Sequence, residues 1–321
     1  MTGSAPWLAT LTSSQHMLIF YFLVVTGLAL LAGFVRTVAS SGEVGARYRS
    51  ATIARLCVNG IAFLTYVALV LTFHAGYSRV GDNYVPNDLA VNLIALRYTD
   101  WSISVPLLAV ELIAVCALAG RVMRTQRVIA VGSAFLMIFT GYLGAVVFED
   151  NGKLTHLIFW GSVSVLFWII ANYVLIKVVR ASYAKLTPES ADLLRSATVI
   201  LLGGWAIYPI IYVIPLFGAG GGWTTVIQVA LCVTDLTIKV GFSGLIHRIA
   251  KLRTAEDVRT GNDMHQESIW ISSEKKSDAG KPRDVYLADG AAVHRPRTRP
   301  PASSAVAAGQ DTPLEDFESD R

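Results

Sequence analysis

"ATIARLCVNGIAFLTYVALVLTF", residues 51–73, is an apolar run with a single charge in it. At about 1.5 Å of rise per residue, a helix of that length crosses the ~30 Å hydrocarbon layer of a bilayer. Yet Arg55 stands one turn inside its first end. An ionisable group within a span costs about 2.5–3.5 kcal/mol on insertion scales, so a guanidinium there needs a reason. It either snorkels back to the headgroups or is held by a partner inside.

Six further runs of the same kind flank this one, at 17–39, 90–118, 127–148, 156–178, 192–216 and 222–249. The chain of 321 residues is 53% hydrophobic and only 16% charged, well below the ~25% charged content of soluble domains. The composition predicts an all-α membrane protein, a seven-transmembrane-helix bundle spanning the plasma membrane, with the lipid bilayer as its first partner. No cleavage site of small residues follows the first run, which reads as a retained helix.

Orientation follows from the basic residues. The connectors 40–50, 119–126 and 179–191, with their flanks, hold Arg36, Arg47, Arg49, Arg121, Arg124, Arg127, Lys177, Arg180, Lys185 and Arg195, whereas the opposite connectors hold Arg79 and Lys153. That asymmetry predicts an N-terminus outside and a C-terminus in the cytoplasm. Residues 1–16 then form an extracellular segment and 17–250 the bundle. Residues 251–321 form a polar, Pro/Ser/Ala-rich tail expected to be disordered. The tail is either simply solvated or a docking segment for a cytoplasmic transducer. Cys57, Cys116 and Cys232 all lie in spans and read as small apolar residues, with no disulfide framework and no metal-ligand spacing. There is no phosphate-loop motif, no soluble repeat, and no basic and aromatic interleaving of the kind that binds nucleic acid. The chain reads as a non-enzyme.

Several charges lie deep in the spans. Lys239 is mid-span in "LCVTDLTIKVGFSG" with Asp235 four residues before it, on the same helix face. Asp100 is mid-span in "RYTDWSISVPLLAVE", with Arg97 one turn outward and Glu111 three turns beyond. Two carboxylates facing one ammonium are either a buried ion pair that fixes packing or a tuned proton site. A lysine there can also lose its proton on burial and form a Schiff base with a carbonyl compound. Trp101, Trp160, Trp205, Tyr208 and Tyr212 lie at interior depth, with Pro209 beside Tyr208. Aromatic residues of membrane proteins gather at the interfaces, so an interior set suits a long, flat, apolar ligand.

At these residues the sequence resembles the microbial (type 1) rhodopsins: "RYTDW" followed by a proline on the third span, "W..YP" on the sixth and "D…KVGF" on the seventh, in that order. The resemblance covers about 10–250. It implies all-trans retinal linked to Lys239 as a protonated Schiff base, Asp100 as counterion and proton acceptor, Asp235 as second counterion and Arg97 as the gate to the outside. It also implies a pocket of Tyr98, Trp101, Met137, Gly141, Trp160, Phe167, Trp205, Tyr208, Pro209 and Tyr212, and a homo-oligomer, a trimer or pentamer. A buried cationic imine needs such a counterion pair to keep its proton. The function-sorting triplet reads Asp100, Ser104, Glu111, with serine where proteorhodopsin-like proton pumps have threonine; its hydroxyl is expected to bond Asp100 from one turn away. The place of an outward proton-release glutamate is Ile227. Trp160 stands where antenna-bearing members have glycine, so the resemblance implies no carotenoid antenna.

Glu111 and Arg55 fall at similar depth on neighbouring helices, roughly 6–10 Å in from the cytoplasmic side by helix rise. If they pair, the arginine stabilises the carboxylate and leaves Glu111 no proton to give. That combination resembles the cryorhodopsins, a group of slow photosensors. It points to a photoreceptor with a slow photocycle involving Schiff-base deprotonation; the alternative is a light-driven outward proton pump. A light-gated channel would need a hydrophilic stripe that the spans do not show.

Overall fold

The computed structural model describes residues 8–118, 120–148, 155–214 and 217–260, together with the short antiparallel pair β4 (Val285–Tyr286) and β5 (Ala292–Val293). The N-terminal seven residues and most of the tail beyond Thr260, including any transducer-docking segment, lie outside the described residues, as does Lys153.

Helix α1 (Ser13–Ala39) starts where Thr12 caps it: the Thr12 side chain accepts from the Gln15 backbone at 3.3 Å and the Gln15 side chain accepts from the Thr12 backbone at 3.0 Å. The other helices are α2 (Arg49–Gly76), α3 (Asn92–Ala114), α4 (Gly120–Tyr142, continued by a π-helical turn Leu143–Val147), α5 (Thr155–Tyr183) and α6 (Pro188–Val213). Helix α6 opens with Pro188 in its first turn, where a missing N–H costs nothing. The last span is composite: α7 (Gly221–Leu236), a π-helical segment Thr237–Phe242 that carries Lys239, and α8 (Ser243–Arg259). Seven spans result among the described residues. Consecutive helices from α1 to α6 pack on one another, and the last span closes the ring against α1 and α6.

The bundle is apolar on its rim and buries a set of charges within an otherwise apolar core. Leu28, Leu64, Leu71, Ile169, Val199 and Ile210 are exposed on the rim, as lipid contact requires. Arg55, Arg97, Asp100, Glu111, Asp235 and Lys239 are buried. Strands β1 (Leu11–Thr12), β2 (Tyr77–Val80) and β3 (Asn83–Pro86) form a small antiparallel sheet, ordered β1–β3–β2, where α1 begins and α2 ends. Its hairpin turns at Gly81, whose φ of 61° suits glycine.

Several boundaries differ from the sequence reading: α4 begins at Gly120 and not 127, α5 runs to Tyr183 and not 178, and α6 begins at Pro188 and not 192. Helix α1 begins before residue 17, so that His16 is a buried helical residue. The third span ends at Ala114, not 118. The last helix continues to Arg259, so the bundle does not stop at 250. The physical reason for the last is that its polar residues are paired inward. Arg253 donates to the Val115 carbonyl at 2.6 Å, and Asp257 accepts from the Tyr48 hydroxyl at 2.7 Å, while Leu252, Ala255 and Val258 are buried.

The junction of α2 with the hairpin has no spare room. A side chain at Gly76 would meet the Ala90 backbone at 2.9 Å. Gly76→Val is therefore expected to lower the thermal unfolding midpoint of the purified protein by several degrees, as overpacking costs of about 1–3 kcal/mol imply. Gly132→Ala, where nothing lies within 4 Å, is the control; equal midpoints for the two variants would show that the junction yields freely.

Candidate functional site

Helix α3 presents Arg97, Asp100, Trp101, Ser104 and Glu111 at three- and four-residue steps, so they share one inward face. Facing them, the last span brings Gln228, Asp235, Lys239 and Ser243, and α2 brings Arg55, Asn59 and Tyr66. All are buried. The spacing-based pairing of Asp235 with Lys239 and the depth-based placing of Asp100 beside them both describe what the helices do.

Lys239 Nζ donates to Asp100 Oδ2 and lies 3.6 Å from Asp235 Oδ2. Among the described residues it is the one buried lysine. Asp235 is held from every side. It accepts from Tyr66 at 2.9 Å, from Tyr208 at 2.7 Å and from the Trp101 indole at 3.3 Å, and Arg97 Nη1 lies 3.8 Å away. Arg97 also donates to Gln228 Oε1 at 2.9 Å. Two cations thus face two carboxylates, which cancels the formal charge that burial would otherwise penalise. Asp100 has the thinner set of partners: its Oδ1 has none, and neither has Ser104 Oγ. The expected Ser104–Asp100 hydrogen bond is not formed, because Asp100 is drawn across to the lysine instead.

On the other side of Lys239, Glu111 Oε2 accepts from Ser243 Oγ at 2.9 Å. Arg55 is 3% exposed, which removes the snorkelling alternative. The contact expected between Arg55 and Glu111 is corrected as well. No ion pair within 4.0 Å joins them among the described residues, and Arg55 Nε and Nη1 and Glu111 Oε1 have no hydrogen-bond partner. Ser243 occupies one oxygen of Glu111.

Beside the lysine lies a cavity of about 390 Å³, within the range of small-molecule sites. Tyr98, Trp101, Met137, Gly141, Trp205, Tyr208, Pro209 and Tyr212 line it, as the sequence reading places them. Trp160 and Phe167 do not. Their next neighbours on α5, Gly161 and Trp168, take those places. One residue rotates a helix by about 100°, and Trp160 instead turns outward to stack on Phe148 at 5.6 Å. Lys239 sits just behind the wall, joined to it through Asp235 and the wall residues Trp101 and Tyr208.

Tyr66, Gln228 and Ser243 were not singled out by the sequence reading. Each had a signal. Tyr66 lies eleven residues from Arg55 and Gln228 seven before Asp235, both near whole helical turns, and Ser243 follows Lys239 by four.

Residues 16–252 match the model of the bacteriorhodopsin-like protein family. The chain belongs to that family, the microbial (type 1) rhodopsins. Archaerhodopsin-1 of Halorubrum ezzemoulense is 29% identical over 223 residues, 70% of this chain and 80% of that protein. Cruxrhodopsin-3 of Haloarcula vallismortis is 26% identical over 77% of this chain and 90% of its own length. Among solved structures, xanthorhodopsin, described as a light-driven ion pump with dual chromophore, superposes with a TM-score of 0.70 at 30% identity over 78% of this chain and 98% of its own. A thermophilic rhodopsin gives 0.69 at 28% identity, over 78% and 99%.

Microbial rhodopsins are seven-span proteins of the cell membrane that bind retinal, and most are light-driven ion pumps. The site of this rhodopsin suits such a group. Its wall is apolar and aromatic, glycines at 141 and 161 leave space where a Cβ at Gly161 would meet Tyr212 at 2.7 Å, and the Trp205 indole N–H is buried without a partner.

Proposed function

We propose that this rhodopsin is a light sensor holding all-trans retinal on Lys239, in which the proton lost from Nζ after illumination returns slowly. When bound, retinal supplies an imine nitrogen and a light-driven change of shape; the chain's own residues govern the proton. Asp235, saturated with donors, acts as the fixed anion. Asp100, with one oxygen free, is the carboxylate able to accept the proton, and Arg97 separates the pair from the outer side. No substrate bond is made or broken, which makes this a receptor and not an enzyme.

The observation that carries the slow return is the burial of Arg55 on the Glu111 side. Burial alone favours a neutral Glu111, whereas a permanent cation nearby favours the carboxylate. A guanidinium stays charged in proteins, and this one has no carboxylate of its own within 4.0 Å among the described residues. Glu111, on the facing helix α3, is the buried carboxylate on this side of Lys239. On this reading the guanidinium holds it ionised, with no proton to hand to Lys239. Such a receptor would sit with its N-terminus outside, as the basic connectors imply, assemble as a trimer or pentamer, and signal to a cytoplasmic partner through the tail.

An outward proton pump is the second reading. It is favoured by the complete burial of Glu111, which suits a carboxylic acid poised to donate. Continuous light on lightly buffered liposomes separates the two readings: a sensor gives little sustained pH change, and steady, uncoupler-sensitive proton transport would favour the pump.

Lys239→Ala is expected to give a colourless protein with retinal supplied, since no other described lysine is buried; visible absorption surviving that change would refute the attachment. Arg55→Ala is expected to speed proton return at least tenfold, about 1.4 kcal/mol of barrier. Glu111→Gln is expected not to speed it, because the donor is lost as well. Infrared difference spectra should show a new protonated-carboxyl band in Arg55→Ala that Glu111→Gln abolishes. An unchanged decay and an unchanged band would leave Arg55 a packing residue and end the sensor reading.

A further inference from the structure

Below Ser243, α8 carries His247 and Lys251 at successive four-residue steps, on the face that meets the α1–α2 connector. Glu43 of that connector receives both. Its Oε2 lies 3.3 Å from His247 Nε2 and 3.1 Å from Lys251 Nζ. Exposure falls along this line from the surface inward: the side chain of Glu43 is 34% exposed, that of His247 8%, and Glu111 is fully buried. Ser243, one turn (about 6 Å) nearer the cavity than His247, donates to Glu111. Glu43 and His247 at one end, and Ser243 and Glu111 at the other, thus stand one helical turn apart along α8.

We propose that His247, positioned by Glu43, is the relay that passes cytoplasmic protons to Glu111. This rests on the reading above, in which Glu111 must be supplied before Lys239 can be. The step balances simply: protonated His247 gives its proton to the Glu111 carboxylate through the Ser243 hydroxyl, leaving neutral imidazole and neutral acid, and the imidazole takes the next proton at the Glu43 edge. Imidazole can take a proton at one ring nitrogen and release one from the other, which makes it a fitting carrier. Three charged groups act on it: Arg55 from α2, Glu43 from the connector and Lys251 on its own helix; Glu111 of α3 and Arg36 of α1 act in turn on Arg55. Glu43 is kept anionic. Burial opposes its charge, but the hydrogen bond and charge of Lys251, with those of His247, hold its carboxyl below the usual range. It therefore remains an acceptor for the imidazole N–H. Arg55, close to both His247 and Glu111, sets a positive barrier between them, which accounts for a relay that conducts slowly.

The test uses His247→Gln, which keeps a hydrogen-bond donor towards Glu43 but carries no proton. Proton return to Lys239 is followed by flash absorption in retinal-loaded liposomes between about pH 5.5 and about pH 8. In the parent the rate should fall as pH rises. In His247→Gln it should be flat, at least about fivefold slower at the acid end, and restored by added imidazole, as loss of one acid–base group implies. A slowed variant that keeps the parent's pH profile and ignores imidazole would reduce His247 to a packing role, and a variant identical to the parent would overturn the proposal outright. In the retinal-free protein, the ¹⁵N resonances of the His247 imidazole should titrate, with a midpoint displaced by Glu43→Gln; resonances invariant with pH would also overturn it. If the parent never loses the Lys239 proton, the sensor and pump readings both fail, a result the retinal-free titration does not share.

Discussion

Lys239 held between Asp100 and Asp235 is the interaction on which the rest of this structure depends. A cation at that depth is tolerable only with its anions in place, and breaking a buried pair by removing one partner costs about 3–5 kcal/mol. The three groups lie on α3 and on the last span, so the pair fixes the rotation of both helices. Arg97, Tyr66, Tyr208 and Trp101 then gather around Asp235 and draw in α2 and α6. The aromatic wall of the cavity is in part a by-product of that gathering, since two of its members are donors to Asp235. A π-helical segment at Lys239 accompanies the arrangement, as such turns often do at functional sites.

The two sides of Lys239 are built differently. Towards Arg97 the polar groups are dense, with three hydrogen-bond donors and the Arg97 guanidinium converging on Asp235. Towards Glu111 they are sparse: one hydroxyl bond, a buried guanidinium with two unpartnered nitrogens, and a histidine beyond. A dense network fixes charge, whereas a sparse one leaves the protonation state open to small changes nearby.

Much of this was legible in the sequence. The bilayer demands runs of about twenty apolar residues, which makes the spans countable, and any charge within them conspicuous. Helical spacing put Asp235 with Lys239 and Arg97 with Asp100 and Trp101. Tyr66, Gln228 and Ser243 also stand near whole turns from these charges, but an uncharged polar residue is too common in a span to stand out without the folded bundle. The end of the last helix was hidden because Arg253 and Asp257 look like solvated tail until the Val115 carbonyl and Tyr48 are seen beside them.

The sequence by itself determined the seven spans, the interior charges and the family, because each follows from composition and from periodicity along one helix. Tertiary structure alone decided how helices are rotated against one another. Helix α5 carries no interior charge to fix its rotation, so only packing shows that Gly161 and Trp168, and not Trp160 and Phe167, reach the cavity. In the same way, depth placed Arg55 and Glu111 at one level, but only the folded bundle shows the guanidinium buried and the carboxylate bonded to Ser243. Distance between helices is not written in either helix.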